Sequence, residues 1–229
     1  MPNRPRTPAH RPTGRATARR LLDIKAVNFR PAEPYNLTAG WVSPVYVDCR
    51  SVISYPAVRR PIIADACERI EEAIGFSNID VVAGGETAGI PYAAWIAEAR
   101  NQPMVYVRKK PKGFGRNARI EGTFGEGARI LLVEDLATDG GSKINFVNAL
   151  RDAGATVSDS FVVFFYGVFA SAEKTLADAG IALHYLADWW DVLAEAEAAG
   201  DFPAADLGAV RAFLNDPAKW SADHGGRSS

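Results

Sequence analysis

The chain reads as an α/β domain built on a doubly wound, mostly parallel sheet. Three observations carry this. Short apolar runs alternate with helix-period segments along most of the chain, as successive β-α units do. The runs are apolar at nearly every position, as in strands covered on both faces. Two of them end in Gly-rich turns that lead into helices, where open α/β sheets place their ligands. At 229 residues and 48% apolar composition, the chain suits one such domain with a small subdomain.

In chain order, residues 21–27 can open a first helix. Residues 35–50 are broken by Pro and Gly, with Val45 and Val47 flanking Tyr46 as in a short strand. Ile62, Ile63, Ala66, Ile70 and Ile74 share one face of a helix over residues 58–74. A strand over 79–83, a helix over 89–100 and a strand over 104–108 follow. A long loop to about Gly127 leads to a strand over 130–133, a helix over 142–153 and a strand over 157–165. A helix over 172–179, a strand over 182–186 and two Ala-rich helices complete the domain, Trp189 and Trp190 serving as packing residues. Residues 1–18 and 221–229 read as disordered tails, which leaves 19–220 as the folded domain.

Charge is unevenly distributed. The net charge is −1, yet the first 20 residues hold six arginines and no acid. The remainder carries 20 basic against 27 acidic side chains, a net of −7. So acidic a body argues against a general nucleic-acid surface. The Arg- and Pro-rich start lacks the apolar stretch of a signal peptide, with a transit peptide or an upstream misread start as alternatives to a simple tail. The longest uncharged apolar stretch, residues 160–172, is 13 residues long and too short to span a bilayer. Cys49 and Cys67 form neither a disulfide framework nor a C-x-x-C spacing, so a reducing, cytoplasmic compartment is expected. Of the histidines, His10 and His224 fall in the tails and only His184 in the body, which argues against a Ser-His-Asp or His-metal site.

The chemistry concentrates in Arg129-Ile-Leu-Leu-Val-Glu-Asp-Leu-Ala-Thr-Asp-Gly-Gly-Ser-Lys143. Glu134 and Asp135 fall at the carboxyl end of a strand. Gly140 and Gly141 let the backbone approach a ligand, and the helix from about Ser142 turns free N–H groups toward an anion. Thr138 and Ser142 add hydroxyls. Carboxylates for polyol hydroxyls beside a helix start for phosphate describe a site for a ribose 5-phosphate. A Walker loop would end in Gly-Lys-Ser/Thr without acids, and a dinucleotide fingerprint would read G-x-G-x-x-G. A solvated acidic pair beside a helix cap is the bland alternative for the acids taken alone. Val81-Val-Ala-Gly-Gly-Glu-Thr-Ala-Gly-Ile-Pro91 is a second Gly-rich strand-to-helix turn. Arg108-Lys-Lys-Pro-Lys-Gly-Phe-Gly-Arg116 is a basic run that is either a solvated loop or a cover for a departing anion.

The segment 129–143 resembles the phosphoribosyl-pyrophosphate (PRPP) signature of type I phosphoribosyltransferases. Asn36-Leu-Thr-Ala-Gly-Trp-Val-Ser-Pro-Val-Tyr-Val-Asp-Cys-Arg50 and the basic run resemble the hood segment and mobile loop of the orotate-using branch. The resemblance implies the type I phosphoribosyltransferase fold, with a hood from about 20–55 plus C-terminal elements. It implies that Glu134 and Asp135 hold the ribose and that Leu136, Ala137, Thr138, Asp139, Gly140, Gly141 and Ser142 form the 5′-phosphate loop. Thr87 and Ala88, next to Glu86, would cradle pyrophosphate. Arg108 would contact pyrophosphate in its own subunit, Lys109 would reach across a homodimer, and Lys112 would ride the loop. Tyr46, Val47 and Thr138 would meet orotate. Thr38 and Phe114 replace a lysine and a histidine of the pattern, and Phe165-Tyr-Gly-Val-Phe169 lacks an arginine that some relatives use. The implied reaction makes orotidine 5′-phosphate and pyrophosphate, with Mg²⁺ bound through PRPP and either no direct protein ligand or Asp135 alone. The implied partners are small-molecule substrates and a second copy of the chain, with no nucleic acid and no membrane. The alternatives are a purine phosphoribosyltransferase and a non-catalytic PRPP-sensing regulator that binds nucleic acid, although the latter should lack Lys109 and Lys112.

Overall fold

The computed structural model describes residues 12–37, 40–111, 119–138 and 140–228. In chain order the elements are helix α1 (Pro12–Asp23), strands β1 (Val27–Phe29), β2 (Tyr35–Asn36), β3 (Val42–Ser43) and β4 (Val45–Val47), then helix α2 (Pro56–Ala73). Strand β5 (Val81–Gly85), helix α3 (Gly89–Arg100) and strands β6 (Met104–Val107), β7 (Ile120–Glu121) and β8 (Arg129–Ala137) follow. Helix α4 (Gly141–Asp152), strand β9 (Thr156–Phe165), helix α5 (Ala170–Asp178) and strand β10 (Ala182–Asp188) lead to helices α6 (Trp189–Ala199), α7 (Ala204–Asn215) and α8 (Pro217–Asp223). The chain forms two compact units. One is Cys49–Leu186, and the other takes the described residues before and after it.

The larger unit carries a six-stranded sheet in the order β10-β9-β8-β5-β6-β7. β5 pairs in parallel with both β6 and β8, β8 pairs in parallel with β9, and β7 is antiparallel to β6. Apolar side chains line the face under α4, with Val81, Ala83, Ile130, Leu132, Phe146, Val147 and Leu150 in one buried cluster. On α2, Ile62, Ile63, Ala66, Cys67 and Ile70 are buried, close to the face that the helical period predicts. Chain direction creates a switch. From β5 the chain continues through α3 to β6, and from β8 through α4 to β9, on the opposite side. The adjacent ends of β5 and β8 therefore flank the crevice where such sheets bind ligands.

The smaller unit contains α1, the antiparallel pairs β1-β4 and β2-β3, and α6 to α8. Its core includes Leu21, Val45, Trp189, Val192, Val210 and Phe213, each essentially without solvent exposure. Asp188 caps α6 and shares a capping box with Asp191.

Both predicted tails need correction. Residues 12–18 are not a disordered tail but the first half of α1, on which Gly14, Thr17, Ala18, Leu21 and Leu22 are buried. That spacing is helical, with the arginines on the rim. Arg15 pairs with Glu195, and Arg19 lies 2.7 Å from Asp201. Residues 1–11 lie outside the described residues. The predicted 221–229 tail is likewise ordered through 228. α8 runs to Asp223, the buried Ser221 hydroxyl accepts from the Val42 amide at 3.0 Å, and the Arg227 amide donates to the Gly40 carbonyl at 2.9 Å. Two further differences are a third C-terminal helix and the short strand β7 inside the predicted loop after residue 108.

A cut at residue 18 would thus divide α1. Because Leu21 is 0% exposed, Leu21→Ala should lower the denaturant stability by about 2–5 kcal/mol. An unchanged denaturation midpoint would mean that α1 is not part of the core.

Candidate active site

The central strand β8 runs to Ala137, beyond the predicted 130–133, with Glu134 opposite Val162 and Leu136 opposite Phe164 on β9. Because the strand continues through the acidic pair, Glu134 and Asp135 point to opposite faces. Glu134 is buried on the α4 side and Asp135 is half-buried on the other. Glu134 has a partner that the sequence reading missed. The buried side-chain nitrogen of Lys143 lies 3.1 Å from its Oε2, bonds the Leu136 carbonyl and lies 3.3 Å from the Ser142 hydroxyl. The other oxygen, Oε1, is buried without a hydrogen-bond partner among the described residues.

Gly140 opens α4 at φ +84, a left-handed conformation that suits glycine. No side chain caps the helix, and Gly141 and Ser142 are exposed at its first turn, so its backbone start faces outward for an anion. The neighbouring turn begins at Gly85, where a side chain would collide with Glu134, since a Cβ would lie 2.8 Å from its Cδ. The Glu86–Thr87 peptide is cis, and Thr87 is exposed. The Glu86 carboxylate accepts from the Lys109 amide at 2.7 Å, tying the start of the basic run to this turn. Arg108 lies 3.4 Å from Glu121 of β7, and its backbone amide donates to the Arg119 carbonyl at 2.7 Å.

Burial pushes the Glu134 carboxyl above its ordinary pKa, opposed by the charge and hydrogen bond of Lys143. Burial also raises Asp135, opposed by Lys143, by the amides of Asp135 and Leu136, and by Arg50. A raised folded-state carboxyl binds its proton more tightly than the unfolded chain does. Its contribution to stability is therefore full at low pH and declines as pH rises toward the folded value.

The larger unit thus brings together Thr87, Ala88, Arg108, Lys109, Glu134, Asp135, Leu136, Ala137, Thr138, Gly140, Gly141 and Ser142 around the ends of β5, β6 and β8. Lys112 and Asp139 lie outside the described residues, as do Thr38 and Phe114. Tyr46 and Val47 belong to the smaller unit, at adjacent positions of β4. Tyr46 is half-exposed against Tyr35 at 5.3 Å, whereas Val47 is 2% exposed. Lys143 carried one legible signal, a cation in the first turn of a helix, where the dipole disfavours it.

A helix start without a side-chain cap and a second Gly-rich turn flanking strand-end carboxylates, on this sheet, are the arrangement of a type I phosphoribosyltransferase. No family model matches the chain. It is 54% identical over 206 residues to an orotate phosphoribosyltransferase of Roseobacter denitrificans, covering 90% of this chain and 92% of that one. An orotate phosphoribosyltransferase structure from Aeropyrum pernix superposes with TM-score 0.69 at 28% identity, covering 81% of this chain and 99% of that one. The UMP synthase of Leishmania donovani superposes with TM-score 0.75 at 26% identity over 88% of this chain, which spans 42% of that longer one. The chain belongs to the orotate phosphoribosyltransferase family. Among the described residues, no helix is long and apolar enough to cross a membrane.

The burial of Asp135 predicts a titration. Infrared difference spectra of wild type against Asp135→Asn should give a carboxylate midpoint above the ordinary aspartate value of about 3.9. A midpoint at or below that value would mean that the pair is open to solvent.

Proposed function

We propose that the chain transfers the phosphoribosyl group of PRPP to orotate, giving orotidine 5′-phosphate and pyrophosphate in pyrimidine biosynthesis. The observation that carries this reading is the pair of Gly-rich turns, 85–88 and 138–142, flanking Asp135 at the ends of adjacent parallel strands. The turn before α4 takes the 5′-phosphate on backbone N–H groups. The turn after β5 takes pyrophosphate. Asp135 and Glu134 accept from the ribose hydroxyls and place negative charge beside the ring as it becomes cationic.

The deprotonated ring nitrogen of orotate attacks C1 of the ribose while the C1–O bond to pyrophosphate breaks, and the bonding electrons leave with pyrophosphate. An already anionic nucleophile needs no histidine base, consistent with a larger unit whose one histidine, His184, lies 2.7 Å from Asp159. Holding both reactants on rigid strand ends supplies much of the acceleration. Arg108, Lys109 and Lys112 neutralise the leaving group, and closure of the basic run excludes water. Mg²⁺ suits oxygen donors, and Asp135 would be the side chain to help PRPP and water hold it. When bound, it supplies positive charge to the pyrophosphate oxygens. Cys49 and Cys67 are buried and in no disulfide among the described residues, which suits a reducing cytoplasm.

Orotate consumption with PRPP and Mg²⁺ tests the reading. Asp135→Asn should leave a folded protein with turnover reduced at least ~100-fold. Purine turnover comparable to that of orotate would move the chain to a purine branch, and wild-type-like turnover in Asp135→Asn would remove the ribose role.

Family membership supports a homodimer in which Lys109 serves the neighbouring site. Lys109→Ala and Asp135→Asn homodimers should then both be poor enzymes. Mixing them yields a heterodimer with one doubly damaged and one intact site, so activity should return to about half of wild type for pure heterodimer. Lys109 also acts electrostatically on Glu134 of its own chain. If that is its working position, no mixture regains activity, even with heterodimer verified by mass.

A further inference from the structure

Lys143 is a buried lysine that the mechanism above leaves unused. It is 3% exposed and sits in the first turn of α4, at the helix end least suited to a cation. Its side chain turns back toward β8, where one nitrogen holds Glu134 Oε2 at 3.1 Å and the Leu136 carbonyl. Glu134 is thereby fixed through one oxygen. The other, Oε1, has no hydrogen-bond partner among the described residues and lies against Gly85, the root of the second turn. A buried carboxylate oxygen without a donor is costly, so its retention points to a donor that arrives with the ligand.

We infer that Lys143 is a positioning residue for the sugar, clamping Glu134 so that its free oxygen accepts from a ribose hydroxyl of PRPP. The inference rests on the phosphoribosyl reading of the site. The same nitrogen braces the loop between the acids and the helix start through the Leu136 carbonyl, so one side chain joins the ribose contact to the phosphate loop. Without the clamp, the buried carboxylate loses its compensating charge and either takes a proton or turns away. Both outcomes remove an acceptor from the sugar. Pyrophosphate has no ribose, and its turn is reached through Glu86 and Thr87 rather than through the Lys143 nitrogen. The two ligands therefore separate a sugar-positioning role from general support of the site.

Calorimetric titration of wild type, Lys143→Met and Lys143→Met/Glu134→Gln with Mg-PRPP and with Mg-pyrophosphate tests this. Lys143→Met should weaken PRPP about tenfold or more, as for a lost charge-assisted hydrogen bond, and leave pyrophosphate within about twofold. The double variant replaces a broken ion pair by two neutral groups of similar size. It should regain melting temperature lost in Lys143→Met while PRPP binding stays weak, and it serves where the single variant does not fold. Wild-type PRPP affinity in folded Lys143→Met overturns the inference, as does equal weakening of both ligands. A double variant no more stable than the single one also overturns it, because the two charges would then be uncoupled. Failure of the wild type itself to bind PRPP would instead reject the phosphoribosyl reading.

Discussion

A carboxylate buried at the end of a central strand needs a compensating charge, and the ion pair between Glu134 and Lys143 supplies it. Both side chains are almost fully buried, so neither charge is relieved by water. With the pair in place, β8 keeps its ladder with β9 as far as Ala137. That extension delivers the chain to Gly140 at the point where α4 must start. Were Glu134 unpaired, the strand would gain by ending before it, and the turn into α4 would begin several residues too early.

The sheet order converts this local arrangement into a site. Two parallel strands that send their helices to opposite sides leave their ends uncovered side by side. β5 and β8 are such a pair, and each ends in a Gly-rich turn. The turns meet through Gly85, which has no side chain because the Glu134 carboxylate occupies that space. The two turns thus lie in contact at this one point, where only a glycine fits. The tie between the Glu86 carboxylate and the Lys109 amide extends the connection to the basic run.

The features that sequence reading recovered are local in sequence. The acidic pair and both Gly-rich turns each lie within a dozen residues, the β-α alternation repeats between sequence neighbours, and their reading follows from residue types alone. What escaped depends on partners that sequence does not bring close. Arg15 and Arg19 belong to a helix whose acidic partners, Glu195 and Asp201, lie 180 and 182 residues away, so the arginines looked like a disordered tail. β7 is two residues long and exists through pairing with Tyr106 and Val107. The strand seemed to stop at Val133 because Glu134 and Asp135 are charged, and Lys143, nine residues after Glu134, removes that objection.

Several departures from ordinary local preference in the larger unit fall at the same crevice. α4 begins without a side-chain cap and with a buried lysine in its first turn. Glu134 and Asp135 are adjacent carboxylates, both shifted upward by burial. Such choices lower stability at neutral pH in the empty protein, because the acids must ionise where the unfolded chain would ionise more easily. The apolar cluster of Ile130, Leu132, Phe146 and Leu150 beneath them provides the offset. A phosphate at the helix start and hydroxyls at the carboxylates would satisfy the same groups that are left wanting. The unfavourable choices at these positions are thus ones a ligand can relieve, as expected of a site that stores binding energy rather than of a surface that is merely charged.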